Sequence, residues 1–228
     1  MGIDTIIFDL DGVLIETEEV WNEVRHDFAV SHGGHWGPED QPLVMGASSM
    51  EWAAHMREHN GVDLSDQEIY DGIIGGLRAR YEEHLPLIPG APDAVHRLAK
   101  TYQLGVASSS PREVIEFALQ LAGLRSCFAI IVSSDEVGQG KPAPDVYREA
   151  CARLGVAPEN VVAVEDSSNG LRAARGAGLI VVAVPNAIYP PAAGALSLAD
   201  AVVGSVRELD RAFIESLPQR IGERDHGE

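Results

Sequence analysis

The sequence predicts an α/β fold in which a doubly wound parallel sheet carries an α-helical insertion after its first strand. Two observations predict it. From residue 87 onward, short apolar runs alternate with helical segments, and uninterrupted apolar strands are typical of a parallel sheet covered by helices on both faces. Between residues 14 and 86 the periodicity of apolar side chains is helical instead, with no convincing strand.

The individual elements follow from the same patterns. The apolar run Ile6 to Phe8 predicts the first strand, and later strands are predicted at 104–107, 128–132, 161–164, 179–184 and 201–203. Helices are predicted at 16–30, 49–58, 65–84, 111–122, 144–154 and 168–174, and a loop at 32–42. We therefore expect a core formed by residues 1–13 and 87–217, a helical cap over 14–86 and a flexible tail over 218–228.

Composition restricts the classes of partner. The chain has 228 residues, with 17 Lys plus Arg against 35 Asp plus Glu and a formal net charge of −18. This charge argues against nucleic acid or an anionic membrane as a partner. The two cysteines, Cys127 and Cys151, lack metal-ligand spacing, and no signal peptide or membrane span is evident. These features predict a cytoplasmic protein, which we expect to be a monomer or a weak homodimer.

Two aspartates end the first strand. Asp9 and Asp11 flank Leu10 and are followed by Gly12. Residues i and i+2 of an extended chain share a face, so both carboxylates are expected to point the same way. Two such groups at the end of a buried strand repel each other unless a cation lies between them. Mg²⁺ prefers oxygen ligands of this kind and keeps positions for phosphate oxygens. An alternative is a polar strand end that caps the next helix.

Three later segments carry matching chemistry. The second strand ends at Ser108, and Ser110 is predicted to cap a helix that begins at Pro111. Free backbone N–H groups at this helix start favour a phosphate. Lys141 lies between a glycine and a proline, outside any Walker A pattern. The fourth strand ends in Glu165–Asp166, which adds two carboxylates at the same edge of the sheet.

Taken in order, these motifs resemble the haloacid dehalogenase superfamily of hydrolases. They are Asp9-x-Asp11-Gly12-Val13, then Ser108, then Lys141-Pro142, then Glu165-Asp166. The segments 140–145 and 163–167 are similar to the branch that contains β-phosphoglucomutase and the small sugar-phosphate phosphatases. The resemblance covers nearly the whole chain and implies a Rossmann-like core with an α-helical cap.

The resemblance also implies roles for the motif residues. Asp9 would be the nucleophile that forms an aspartyl-phosphate, and Asp11 would protonate the leaving oxygen and then activate water. Mg²⁺ would be held by the main-chain carbonyl of Asp11 and the carboxylates of Asp9 and Asp166, with Glu165 supporting them through water. The phosphoryl group would be bound by Ser108, Lys141 and the backbone N–H groups around Gly12 and Ser109.

The cap region favours a phosphatase over a mutase. The mutase has an arginine in its cap loop where this chain reads Gly46-Ala47-Ser48-Ser49, and a mutase must hold a second phosphate. The run 14–21 is closer to hexitol-phosphate and 2-deoxyglucose-6-phosphate phosphatases. The expected substrate is therefore a small sugar or polyol phosphate. Candidate substrate contacts in the cap are Thr17, Trp21, Met45 and Ser48; Arg78 or Arg80 could also reach the site, although solvated helix arginines are the favoured reading.

Several alternatives stay open at this stage. A β-phosphoglucomutase-like mutase or a phosphoglycolate phosphatase would use the same motifs. A phosphate-binding or phospho-aspartate regulator is the non-enzymatic alternative, and true dehalogenation would need neither Mg²⁺ nor Asp11. The run His55-Met56-Arg57-Glu58-His59 matches a zinc-peptidase pattern, but it lacks a convincing third ligand, and a charged helix face explains it.

Overall fold

The computed structural model describes residues 2–44, 47–186 and 190–225. A parallel six-stranded sheet has the order β3-β2-β1-β4-β5-β6. The strands are β1 Thr5–Phe8, β2 Gln103–Ser108, β3 Ile130–Ser133, β4 Val161–Glu165, β5 Ile180–Ala183 and β6 Ala201–Val202. The helices are α1 Glu18–Ser31, α2 Asp40–Val44, α3 Ser49–His59, α4 Asp66–Glu83, α5 Ala91–Leu98, α6 Arg112–Leu121, α7 Asp145–Leu154, α8 Ser168–Gly176, α9 Ala193–Leu196 and α10 Arg211–Asp225.

The central strand β1 is buried on both faces. Ile6 and Phe8 belong to one apolar cluster and Ile7 to a second cluster, because successive side chains of a strand point to opposite faces. In the parallel register Phe8 pairs with Val106 of β2 and with Val164 of β4. The residues that follow these positions, Asp9 and Glu165 among them, therefore emerge at the same edge of the sheet. The predicted doubly wound α/β fold is confirmed.

The four helices α1 to α4 lie between β1 and α5, and α4 packs against both α1 and α3. Ser48 and Ser65 each form a capping box, at the starts of α3 and α4. The two chain segments that connect these helices to the sheet run side by side: the Glu16 N–H donates to the Pro86 carbonyl at 2.8 Å, and the Ile88 N–H donates to the Leu14 carbonyl at 3.0 Å. The four helices therefore leave and return through adjacent segments, and the division into a core and a cap stays a prediction.

Three local predictions need correction. The predicted loop at 32–42 ends earlier, because α2 begins at Asp40. Ser110 does not cap α6: the helix begins at Arg112 with Pro111 at the N-cap position, since the Ser110 hydroxyl donates elsewhere, as described below. At the C-terminus, α10 continues through Pro218 to Asp225, so the chain is still helical where a tail is predicted to begin.

The helices within the described ranges include none that combines the length and the apolar character needed to cross a bilayer.

Candidate active site

Three buried carboxylates converge where β1 and β4 end. Asp9, Glu165 and Asp166 each place a carboxylate oxygen within 4.8 Å of the others. Asp9 follows β1, and its backbone N–H donates to the Val164 carbonyl of β4 at 3.0 Å. The sequence prediction that the ends of strands one and four meet in space is therefore correct for these side chains.

Lys141 lies against this cluster. Its Nζ is 3.1 Å from Asp9 Oδ1 and 2.6 Å from Glu165 Oε1, and it also donates to the Ala107 carbonyl at 3.0 Å. Although burial disfavours the ammonium, the two carboxylates raise the pKa of Lys141 above its ordinary value. Lys141 is therefore a fixed positive charge beside the proposed nucleophile.

Burial raises the pKa of Asp9 well above its usual range, and the attraction of Lys141 offsets this only in part. Burial likewise raises the pKa of Asp166, with Asp9 and Glu165 adding to the shift. Three buried carboxylates thus share one ammonium, and their mutual repulsion is relieved if a cation joins them. The all-oxygen donor set fits a hard divalent ion such as Mg²⁺.

Glu165 is oriented from two sides. Its Oε1 accepts from Lys141 and from the hydroxyl of Tyr147, which lies at 2.6 Å, while its Oε2 accepts from the Asp166 N–H at 3.2 Å. A Cβ on Gly170 would lie 1.9 Å from the Glu165 carboxyl carbon. The close approach of helix α8 to this carboxylate therefore requires glycine at position 170.

We expect Gly170→Ala to lower the free energy of unfolding by about 1–3 kcal/mol, because the added methyl group overpacks a buried site. The displaced Glu165 should also lower activity. Gly75→Ala on α4 is the matched control, since a Cβ there meets nothing within 4 Å; it should stabilise the helix by about 0.5–1 kcal/mol. Urea denaturation of both variants measures the difference, and equal effects would contradict the assigned packing.

Asp11 lies apart from the carboxylate cluster. Its Oδ1 accepts from Thr17 Oγ1 at 2.6 Å, and its Oδ2 accepts from the hydroxyls of Ser108 and Ser110, both at 2.8 Å. Thr17, a predicted substrate contact, and Ser108, a predicted phosphate ligand, therefore orient Asp11 in this structure. The metal role predicted for Asp11 concerns its main-chain carbonyl and stays a prediction.

A cavity of about 390 Å³ opens above the strand ends. Asp9, Asp11, Lys141 and Asp166 line its floor, together with Ser109. Its volume suits a small metabolite. Ser108 is fully buried and is not among the residues that line this cavity.

The helical segment 14–86, which is called the cap below, supplies the opposite wall. Trp21 lines the cavity as predicted and packs edge-to-face against Trp52, with ring centroids 6.0 Å apart. Three further polar side chains of the cap line the same wall and were not predicted from sequence: Glu18, Arg25 and Gln41. Arg25 lies four residues after Trp21 on α1, so helical spacing alone would have placed the two on one face.

Two residues that are predicted to contact the ligand have hydrogen-bond partners within the protein in this structure. The Ser48 side chain lines a neighbouring cavity, and its hydroxyl donates to Glu51 Oε2 at 2.7 Å in the capping box of α3. The Gly12 N–H donates to the Ile15 carbonyl at 2.8 Å, within the turn after β1. Gly12 has φ +74°, and a Cβ there would lie 1.9 Å from Asp166 Oδ2. The absence of a side chain at Gly12 thus allows the Asp166 carboxylate to lie against the backbone of this turn. Met45 lies outside the described residues.

The remaining cap candidates have structural partners. Arg78 lies 3.7 Å from Glu113, and Arg80 donates to Asp27 at 2.9 Å, so neither lines the cavity. His55 and His59 pack ring against ring at 4.8 Å. Within the described ranges, they belong to no group of three metal-ligating side chains.

Tyr147 is another site residue that the sequence analysis did not identify. It contacts Glu165 from helix α7, and burial, followed by the nearby Glu165, raises its pKa well above its usual value. A tyrosine two residues into a helix carries no sequence signal of its own. Its role becomes visible only when α7 is packed against β2 and β3, which brings the Tyr147 hydroxyl to Glu165.

Comparison with known proteins agrees with this geometry. A family model described as haloacid dehalogenase-like hydrolase matches residues 3–178. The chain belongs to this family. The predicted family, and with it the predicted class of hydrolase, is confirmed.

Individual relatives of this haloacid dehalogenase-like hydrolase include phosphatases. Hexitol phosphatase B of Escherichia coli K12 is 35% identical over 212 residues, which cover 89% of this chain and 92% of the relative. The bifunctional riboflavin kinase/FMN phosphatase of Arabidopsis thaliana is 30% identical over 206 residues. The match covers 90% of this chain but only 54% of that longer protein.

Among solved structures, CbbY from Rhodobacter sphaeroides in complex with phosphate has a TM-score of 0.83 at 32% identity, and the match covers 93% of this chain and 99% of CbbY. A variant of CbbY in complex with xylulose-(1,5)bisphosphate also has a TM-score of 0.83, at 31% identity.

Proposed function

We propose that the chain is a Mg²⁺-dependent phosphatase of small sugar or polyol phosphates. The observation that supports this proposal most directly is the convergence of Asp9, Lys141, Glu165 and Asp166 at one end of the cavity. Phosphoryl transfer needs positioning and charge stabilisation more than elaborate covalent chemistry, and this arrangement supplies both. The names of the phosphatase relatives support the same class of substrate.

In the proposed mechanism, an Asp9 carboxylate oxygen attacks phosphorus, and the bond from phosphorus to the leaving oxygen breaks. Asp11 donates a proton to that oxygen, which leaves as an alcohol. Asp11 then accepts a proton from a water molecule that attacks the aspartyl-phosphate, which releases phosphate and regenerates Asp9. Lys141 stabilises negative charge on the transferring group beside Asp9, and Ser109 lies where its backbone or hydroxyl can bind a phosphate oxygen.

Asp9 and Asp166, with the Asp11 carbonyl, would hold Mg²⁺, and Glu165 would support them. When bound, the ion supplies positive charge for the phosphoryl oxygens and relieves the repulsion among the carboxylates. Three hydroxyl donors fix the direction of the Asp11 carboxylate. Trp21 and its neighbours on the cap wall exclude water from the cavity and contact the sugar.

The proposed function is tested by phosphate release from a panel of hexose, pentose and hexitol phosphates and phosphoglycolate, with Mg²⁺ or with a chelator. We expect Mg²⁺-dependent turnover, with the highest kcat/KM on a sugar or polyol phosphate. Absence of turnover on every ester would favour the phosphate-binding regulator. Release of halide from a haloacid without metal would favour dehalogenation.

We also expect Mg²⁺ to stabilise the folded protein. At 10 to 100 times the dissociation constant, a ligand that binds only the folded state contributes about 1.4–2.7 kcal/mol. Thermal unfolding with a chelator and with millimolar Mg²⁺ measures this. Asp166→Asn should abolish most of the shift, whereas the exposed Asp63→Asn should keep it. An identical shift in Asp166→Asn would contradict the assigned metal ligands.

A further inference from the structure

Arg25 is a buried cation in the wall of the cavity. Its side chain comes from α1, only 5% of the residue is exposed, and it lines the cavity. Its guanidinium carbon lies 4.6 Å from the ring centroid of Trp21 and 5.4 Å from that of Trp52, with Trp36 at 5.8 Å. Burial lowers the pKa of Arg25 to about 10, so the side chain remains positively charged at neutral pH.

This positive charge is not paired directly with an acid. Among the described residues, no carboxylate oxygen lies within 4.0 Å of the Arg25 guanidinium. Nη1 donates to Gln41 Oε1 at 2.9 Å, and Nε has no acceptor. Glu18, which also lines the cavity, accepts instead from Gln41 Nε2 at 2.9 Å. The Gln41 amide therefore stands between the two charged groups.

The other cation of the cavity is already engaged. Lys141 contacts Asp9 and Glu165 directly. Arg25 thus remains as the cationic lining residue, in the described part of the chain, without an ion-pair partner. Contact with aromatic faces offsets only part of the free energy that is lost when a guanidinium is removed from water. An anion bound beside Arg25 would reduce this imbalance.

We propose that Arg25 binds a second anionic group of the substrate, a carboxylate or a phosphate at the end remote from the transferred phosphoryl group. This inference rests on the proposed function and narrows its substrate class to sugar phosphates that carry two anionic groups. The guanidinium fork matches such oxyanions. Asp9 and Arg25 line one cavity from the sheet and from the cap, so a single small molecule can reach both.

Matched pairs of esters test the inference. Fructose 6-phosphate is compared with fructose 1,6-bisphosphate, and glucose 6-phosphate with 6-phosphogluconate, so that the two pairs separate a phosphate from a carboxylate. We expect the wild-type enzyme to prefer the doubly anionic member of at least one pair in kcat/KM. Arg25→Met should reduce that preference by roughly 10- to 100-fold, mainly through KM, because it removes a charge-assisted hydrogen bond.

Arg25→Lys, which keeps the charge but not the fork, should retain part of the preference. Arg80→Met is the matched control: Arg80 is also a cap arginine, but it pairs with Asp27. Equal kcat/KM for both members of each pair in the wild-type enzyme would overturn the inference, as would an unchanged preference in Arg25→Met. If no ester is hydrolysed, the proposed function fails. Calorimetric binding of the same pairs to the wild-type protein then still decides the role of Arg25, and equal affinities would overturn it even if Arg25→Met did not fold.

Discussion

Replacing Asp9 with asparagine is expected to reduce kcat by roughly 10⁴-fold or more, because the variant lacks the carboxylate oxygen that attacks phosphorus. The fold should survive. Asp9 is buried, and burial raises its pKa. Replacing it with the neutral asparagine therefore removes a negative charge whose burial destabilises the folded protein. The amide can still accept from Lys141 Nζ, which lies 3.1 Å from Asp9 Oδ1 in the native site.

The measurement is phosphate release under single-turnover conditions, with acid quenching and mass spectrometry of the peptide that contains residue 9. Wild-type enzyme should show a phosphorylated Asp9 peptide, and Asp9→Asn should show none. Asp63→Asn is the control because Asp63 is exposed in the cap. A phosphorylated peptide elsewhere in the chain, or near-normal turnover by Asp9→Asn, would exclude Asp9 as the nucleophile.

The meeting of the strand ends could be predicted from sequence because all strands of a parallel sheet run in the same direction. The apolar runs locate β1, β2 and β4, and a parallel sheet gathers their carboxyl ends at one edge. Asp9, Glu165 and Asp166 follow directly from this rule. Lys141 was identifiable from sequence because it lies directly between a glycine and a proline, and the proline restricts the backbone conformation of the residue before it.

Other parts of the site depend on packing between elements that are distant in sequence. Tyr147 reaches Glu165 only because α7 packs against β2 and β3, close to the end of β4. Ser110 was a reasonable helix cap by local rules, yet its hydroxyl is bound by Asp11, which lies 99 positions away. Local propensity was overruled there by a half-buried carboxylate that accepts hydrogen bonds from three hydroxyl groups.

The cap wall illustrates the same limit. Trp21 was identifiable from its motif, but the environment of Arg25 is assembled from α1 and α3 together with the segment between them. Trp36 and Trp52 approach the guanidinium from positions 11 and 27 residues further along the chain than Arg25. An arginine on a helix is most often solvated; only the three-dimensional structure reveals that this one is buried beside the ligand cavity.

Replacing Lys141 with methionine is expected to lower the free energy of unfolding by about 3–5 kcal/mol, because removing one partner leaves buried charges without compensation. Lys141 is 6% exposed and contacts both Asp9 and Glu165. Activity should fall by roughly 10²–10³-fold, the range for loss of one preorganised electrostatic group. Urea denaturation and phosphate release measure the two effects. Lys100→Met, at an exposed position, is the control.

Two further readouts separate loss of charge from loss of packing in Lys141→Met. Added Mg²⁺ should restore part of the stability, since it supplies positive charge to the same carboxylates. Lowering the pH in metal-free buffer should also restore part of the stability of the variant. Burial raises the folded-state pKa of Asp9 and of Asp166. Protonation of these two carboxyl groups therefore stabilises the folded protein. This stabilisation is fully present below the unfolded-state pKa and is lost as pH rises through the folded-state pKa. Lowering the pH from 8 toward about 5 should therefore narrow the stability gap between the variant and the wild-type protein. A gap that depended on neither Mg²⁺ nor pH would mean that Lys141 acts by filling space, and its electrostatic role beside Asp9 would have to be abandoned.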